Sequence, residues 1–285
     1  MRIATALLLL IPLGLIAFQP PPTEIRLIVK GDDMAAGHGI NTATIDAYKR
    51  GILTTTNVIV PGPWFLEAAR LLNENPGLDV GVHLDITSEW DNIKWRPLTT
   101  APSLVDPDGY FFSLVAPRPG FPAKTSVKEA PWKLEEIERE LRAQIVMAKR
   151  HIPQVSYTWN HMGFTSLAPE VNELVLKLSK EYGLVVPSTL GLQMVRAYDS
   201  KDSGAVKADK LAARLETLNP GLWLHIDHAS TDDAEMQALG HKGYEWVAAD
   251  RSANHDAWIS AKVREVITRR GIKLTNYREI AKELR

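Results

Sequence analysis

Three histidines and a pair of aspartates stand at or near the ends of short apolar runs. Lys30-Gly31-Asp32-Asp33 closes a run that begins at Ile25, and His83 lies in Val80-Gly81-Val82-His83-Leu84-Asp85. His161 follows Tyr157-Thr158-Trp159-Asn160, and His225 sits within Leu222-Trp223-Leu224-His225-Ile226-Asp227-His228. Each has an ordinary explanation when taken singly: Gly-Asp-Asp suits a turn, Asp caps helices, and a lone His can be a hydrogen-bonded core residue. Separate runs that all deliver such groups are harder to assign to packing. Two neutral imidazoles and one carboxylate leave coordination positions open, as a catalytic divalent cation requires. Such a cation can lower the pKa of a bound water from 15.7 to about 7. The Asp and His left over then suit a general base and a general acid.

Other chemistries lack their residues. The chain has no Cys, which removes disulfides, thiolate ligands, a cysteine nucleophile and a lipid anchor on Cys. No Gly-x-Gly-x-x-Gly follows the first run, no Gly-Lys-Ser/Thr loop occurs, and Gly37-His38-Gly39 is too short for either. A Gly-x-Ser-x-Gly elbow is also missing. Lys plus Arg number 33 against 34 Asp plus Glu, so no basic footprint points to nucleic acid or to an anionic membrane. With 45% hydrophobic and 24% charged residues in 285, a globular protein with a large core is expected.

The elements that must position these groups alternate. Apolar runs at 25–29, 55–60, 79–85, 154–159, 184–187, 221–226 and 273–276 read as strands. Segments of helical period at 40–50, 64–72, 133–150, 169–182, 206–218 and 255–270, and a last one from Tyr277, read as helices. Residues 87–131 are rich in Pro, Gly, Trp and Phe without period, a long excursion of the functional kind. The pattern predicts an α/β single domain over 23–285, a (β/α) barrel of about seven parallel strands, with an open doubly wound sheet as the competing architecture. In both, ligands bind at the carboxyl ends of the strands.

Residues 1–22 read differently. Arg2 precedes an apolar run over 3–18, shorter than the ~20 residues of a membrane span, and Gln19-Pro20-Pro21-Pro22 follows. This is the profile of an export signal and linker, placing the mature protein in the periplasm or outside the cell, with an uncleaved anchor as the alternative.

On these residues the chain resembles the YdjC-like carbohydrate deacetylases, the group of the chitooligosaccharide and hopanoid-biosynthesis deacetylases. The likeness lies in Leu27-Ile28-Val29-Lys30-Gly31-Asp32-Asp33-Met34, in Gly39-Ile40-Asn41 with Arg50-Gly51-Ile52-Leu53-Thr54, in Gly81-Val82-His83-Leu84-Asp85-Ile86-Thr87, and in Arg270-Gly271-Ile272-Lys273-Leu274-Thr275-Asn276-Tyr277-Arg278-Glu279. The resemblance implies an incomplete TIM-like barrel and hydrolysis of an acetyl group on a sugar or oligosaccharide. It implies one divalent ion, Mg or Zn, held by Asp33, His83 and His161. It further implies Asp32 as catalytic base and His225 as proton donor to the leaving amine. The chain departs from the family at Met34, at Trp159-Asn160-His161-Met162-Gly163, and at Ile226-Asp227 after the late histidine, so it is expected to be a divergent member. Two further readings stay open: an exported carbohydrate-binding protein that kept the barrel without the chemistry, and hydrolysis of an O-acetyl ester or another amide.

Overall fold

A computed structural model describes residues 23–283; the expected export signal and linker at 1–22 lie outside the described residues. Seven parallel strands form one sheet in the order β4-β3-β2-β1-β6-β5, with β7 alongside β1. In chain order the elements are β1 (Ile25–Met34), α1 (His38–Arg50), β2 (Thr55–Val58), α2 (Phe65–Asn73), β3 (Asp79–Leu84), α3 (Leu134–His151), β4 (Val155–Asn160) and α4 (Pro169–Glu181). Then come β5 (Gln193–Met194), α5 (Gly204–Glu216), β6 (Gly221–Asp227), α6 (Ala234–Gln237), α7 (Val247–Ile259), α8 (Ala261–Arg269), β7 (Lys273–Leu274) and α9 (Tyr277–Glu283). The sheet curls into an incomplete barrel with helices around it, a single α/β domain. No helix among the described residues is long and apolar enough to cross a membrane.

Alternation along the strands makes two cores. Leu27, Val29, Val80, Val82 and Leu84 face the helices in the larger one. Ile28, Tyr157 and Leu224 fill the barrel, closed below by Tyr277 and Ile280 of α9. Gly81 is required here, because a Cβ on it would stand 2.3 Å from the Tyr157 ring. Strand 184–187 is reduced to one bridge, Val185 with Tyr157, and β5 pairs with β6 instead. The helix expected over 255–270 is two helices, α7 and α8, broken at Ser260, whose ψ of 131° is extended.

The excursion after β3 is pinned by polar side chains of α3. Glu140 accepts the backbone N–H groups of Leu98 and Thr99 at 3.0 and 2.9 Å. Glu136 accepts that of Ser103 at 2.8 Å. Gln144 pairs with the backbone of Asp85 in both directions, at 3.0 and 2.7 Å. These residues, four apart on one helix face, are buried, so part of the polar face of α3 holds a loop rather than meeting water.

Candidate metal centre and active site

The end of β1 bends so that both its aspartates reach one cavity. Alternation would send Asp32 inward with Ile28 and Lys30 and Asp33 outward. However, the pairing with β2 slips between Gly31 and Met34, and Asp33 takes φ 71° and Ala35 φ 81°. Left-handed values at non-glycine positions cost about 1–3 kcal/mol and persist where neighbours hold them. Asn57 is one such neighbour: its Oδ1 accepts the Asp33 N–H at 3.2 Å, and its Nδ2 donates to Asp32 Oδ1 at 2.9 Å. Asn41 Oδ1 accepts the Ala35 N–H at 2.7 Å.

Two imidazoles are anchored through one nitrogen and aimed with the other. His83 Nδ1 lies 3.3 Å from the Trp159 carbonyl, and His161 Nδ1 lies 2.9 Å from both Asp85 Oδ1 and Thr87 Oγ1. Asp85 is itself fixed, accepting the Thr87 N–H at 2.8 Å and the Trp95 indole N–H at 2.6 Å. Partners of this sort orient metal-ligating histidines. The free nitrogens converge: His83 Nε2 is 3.2 Å and His161 Nε2 4.0 Å from Asp33 Oδ1. Asp33, His83 and His161 thus offer ligand atoms all within 4.8 Å of one another, all three side chains buried.

Charges around this cluster are shared out by geometry. Burial opposes ionisation of Asp33, but His228, Arg251, His83 and His161 together hold its carboxyl well below the usual range. Arg251 donates to Asp33 Oδ2 at 2.9 Å, and His228 Nε2 is 3.5 Å from the same oxygen. Burial depresses His228 and Arg251 opposes its charge, yet Asp33, Asp227 and Asp32 together raise it above the ordinary histidine value. Lys30, fully buried, binds Asp32 Oδ1 and lies 4.1 Å over the Trp159 ring. Burial lowers its pKa against the pull of Asp32.

The position of His225 corrects one expectation. On β6 it alternates with Leu224 and Ile226, which pack inside the barrel, so its ring points to the helix layer. There its Nε2 is 3.0 Å from the Tyr198 hydroxyl and its Nδ1 3.2 Å from the Val195 carbonyl, and burial lowers its pKa. His225 does not line the cavity; His228, just past the end of β6, does. The signal was present in the sequence, since apolar residues at 222, 224 and 226 mark the inner face. Glu89 and Arg251 also line the cavity, and neither was singled out from the sequence.

The cavity has a volume of about 380 Å³. Its floor is formed by Asp33, His83 and His161, and its walls include Trp159, Met162, Trp90, His241 and Tyr244. Trp90 stacks on His241 with centroids 5.7 Å apart, the Asp91 N–H donates to the Gly240 carbonyl at 3.0 Å, and Asn92 donates to the Ala238 carbonyl at 3.0 Å. The excursion after β3 and the loop after β6 thereby form one roof.

The residues fit a divalent cation. Asp33 Oδ1 is a buried acceptor without a hydrogen-bond partner, faced by imidazole nitrogens of His83 and His161 at 3.2 and 4.0 Å. Such an atom is costly unless something positive completes it. One carboxylate oxygen and two imidazole nitrogens are a usual donor set for a catalytic ion with open positions.

The family model for YdjC-like proteins matches residues 26–269. The chain therefore belongs to the YdjC-like family. Among its relatives, a carbohydrate deacetylase of Thermus thermophilus is 36% identical over 268 residues, covering 85% of this chain and 89% of that protein. Carbohydrate deacetylase 2 of Listeria innocua is 24% identical over 274 residues, covering 91% and 100%. The fold recurs in a crystal structure from Enterococcus faecalis, that of a candidate cellobiose-phosphate cleavage protein, with a TM-score of 0.72 at 24% identity, covering 90% of this chain and 99% of that one.

Proposed function

We propose that the protein is a metal-dependent hydrolase that removes the acetyl group from an N-acetylated or O-acetylated carbohydrate. The observation that carries this reading is the unpartnered Asp33 Oδ1 facing His83 and His161, in a family whose relatives are named carbohydrate deacetylases. Asp33, His83 and His161 would hold the ion, with Mg and Zn the leading candidates. When bound, it supplies Lewis-acid polarisation of the acetyl carbonyl and acidifies water.

The remaining steps fall to this chain's own residues. Asp32, its Oδ1 fixed by Lys30 and Asn57, accepts the proton of the attacking water. His228, which lines the cavity beside Asp33 with its Nε2 3.5 Å from Oδ2, gives a proton to the departing nitrogen or oxygen. This replaces His225 in that role. Trp159, Met162 and Tyr244 offer apolar surface for a sugar face. The leader-like segment at 1–22 supports an exported enzyme, to be checked by the N-terminal sequence of secreted protein.

Acetate release from a panel of N-acetyl and O-acetyl glycans, by chelator-stripped protein with and without added ions, tests the reading. Cation-dependent acetate release is expected. Sugar binding without release on any substrate would favour a carbohydrate-binding protein instead.

A further inference from the structure

Asn254 is buried on α7, between α5 and the loop after β6, and every polar group of its side chain is engaged. Its Nδ2 donates to Asp227 Oδ1 at 2.9 Å and to the His228 carbonyl at 2.8 Å. Its Oδ1 accepts from Lys207 Nζ at 2.7 Å. That last bond fixes which way the amide faces, because an ammonium only donates while a carboxylate and a carbonyl only accept. A turned amide would set its nitrogen against the ammonium and its oxygen against two others. Lys207 is held in turn: it is buried on α5 and bonded to the Asp250 carboxylate and, at 3.1 Å, to the Asp250 carbonyl. Asp250 and Asn254 are one turn apart on α7, so a single ammonium reaches both. A buried ion pair is often no more stabilising than apolar packing of the same volume, so stability alone does not account for this one.

What the arrangement holds is His228. This residue lies just past the last pair of β6 with β1, Gly31 with Asp227, so no sheet ladder positions it. Asp227 Oδ1, the atom that Asn254 holds, accepts the His228 N–H at 2.9 Å and lies 3.5 Å from its ring Nδ1. One amide nitrogen therefore reaches His228 directly at its carbonyl, and through Asp227 at its N–H and its ring. We propose that Asn254 is the positioning residue for His228, aiming its Nε2 into the cavity, with Lys207 setting the direction of the amide. The inference rests on the reading of His228 as proton donor to the leaving group. Neither Asn254 nor Lys207 lines the cavity, so both act through His228 and not on the substrate. A sugar nitrogen or oxygen takes up that proton as its bond to the acetyl carbon breaks, whereas a nitrophenolate leaves as the anion; only the first reaction needs His228 in place.

The test compares turnover of an acetylated glycan with turnover of 4-nitrophenyl acetate, in the full chain with its cation supplied, for the parent, N254L and N254S. N254L should cut turnover of the glycan by about 10–100-fold and that of the nitrophenyl ester by less than about threefold, as misplacement of one catalytic group would. A merely structural loss would lower both alike. N254S, which keeps a small polar group, should show the same pattern with a smaller loss and serves if N254L does not fold. Equal losses on the two substrates, or none, in a folded variant overturn the proposal. A parent that releases no acetate from any glycan defeats the deacetylase reading alone. The positioning role is then decided by ¹⁵N–¹H spectra of the histidine rings in ion-free protein, with the His228 signals assigned through H228Q. Those signals should broaden or split in either variant while the signals of His83 and His161 stay; a sharp, unshifted His228 overturns the proposal.

Discussion

His228 Nε2 stands 3.5 Å from Asp33 Oδ2, the oxygen that also receives Arg251 at 2.9 Å. The other oxygen of the same carboxylate faces His83 and His161. One aspartate is thus divided between a cationic side and a ligand side. The division separates the residue proposed to deliver a proton from those proposed to hold the ion.

Replacing His228 by Gln should lower turnover by about 10²–10⁴, the usual range for a positioned acid or base, while ion content stays near the parent's. Replacing His225 by Gln should leave turnover within a few fold and reduce stability by about 1–3 kcal/mol, because buried hydrogen-bond partners at Tyr198 and Val195 are disturbed. Acetate release, ion stoichiometry and thermal melts of the two variants check this. Equal loss of turnover in both would return His225 to the mechanism.

Asp32→Asn should abolish most turnover yet retain the ion, whereas Asp33→Asn should lose both. Asp32→Asn also removes the counter-charge of the fully buried Lys30, at a cost of up to about 3–5 kcal/mol. Combining it with Lys30→Met should recover most of that stability without recovering turnover. Denaturant unfolding of the two single variants and the double variant measures the coupling.

Gly81→Ala should destabilise the barrel by about 1–3 kcal/mol through overpacking, since the added Cβ meets the Tyr157 ring at 2.3 Å. A second change, Tyr157→Val, should relieve the clash while leaving its own cavity. Melting temperatures of the single and double variants decide whether the two positions are coupled.

Asp79, at the barrel's lower end, gives a pH dependence of stability. Burial pushes its carboxyl up, and hydrogen bonds from Ser156 and Thr55 with the charge of Arg278 pull it back only in part. Its folded-state pKa therefore lies above the unfolded value near 4. The associated stabilisation is complete below that unfolded value and is lost as pH rises through the folded one. Replacing Asp79 by Asn should remove this downward component from the stability curve, as urea unfolding across that window would show.

What the sequence revealed follows from how local each signal was. The meeting of Asp33, His83 and His161 was legible because each lies at or near the end of an apolar run, and such runs form strands whose ends meet on one rim. His225 and His228 sit three residues apart, and only the inward side of Leu224 and Ile226 separates them. Arg251 was hidden because α7 buries Asp250, Arg251 and Asn254 among Val247, Ala248 and Ala253, so polar residues interrupt the apolar stripe that would announce it. Glu89 belongs to a segment without period, and its place depends on contacts with α3 and with the loop after β6. The strand at 184–187 failed because only one of its residues found a neighbour in the sheet.

The joined roof has an evolutionary consequence. Trp90 against His241, and the Asp91 N–H on the Gly240 carbonyl, bind two stretches of chain that are far apart in the gene. A loop borrowed from a relative on one side alone would leave its opposite number without stacking surface and without a backbone partner. New substrate preferences should therefore be inherited as matched pairs of changes in these two stretches, while the strand ends beneath them can pass unaltered from one specificity to the next.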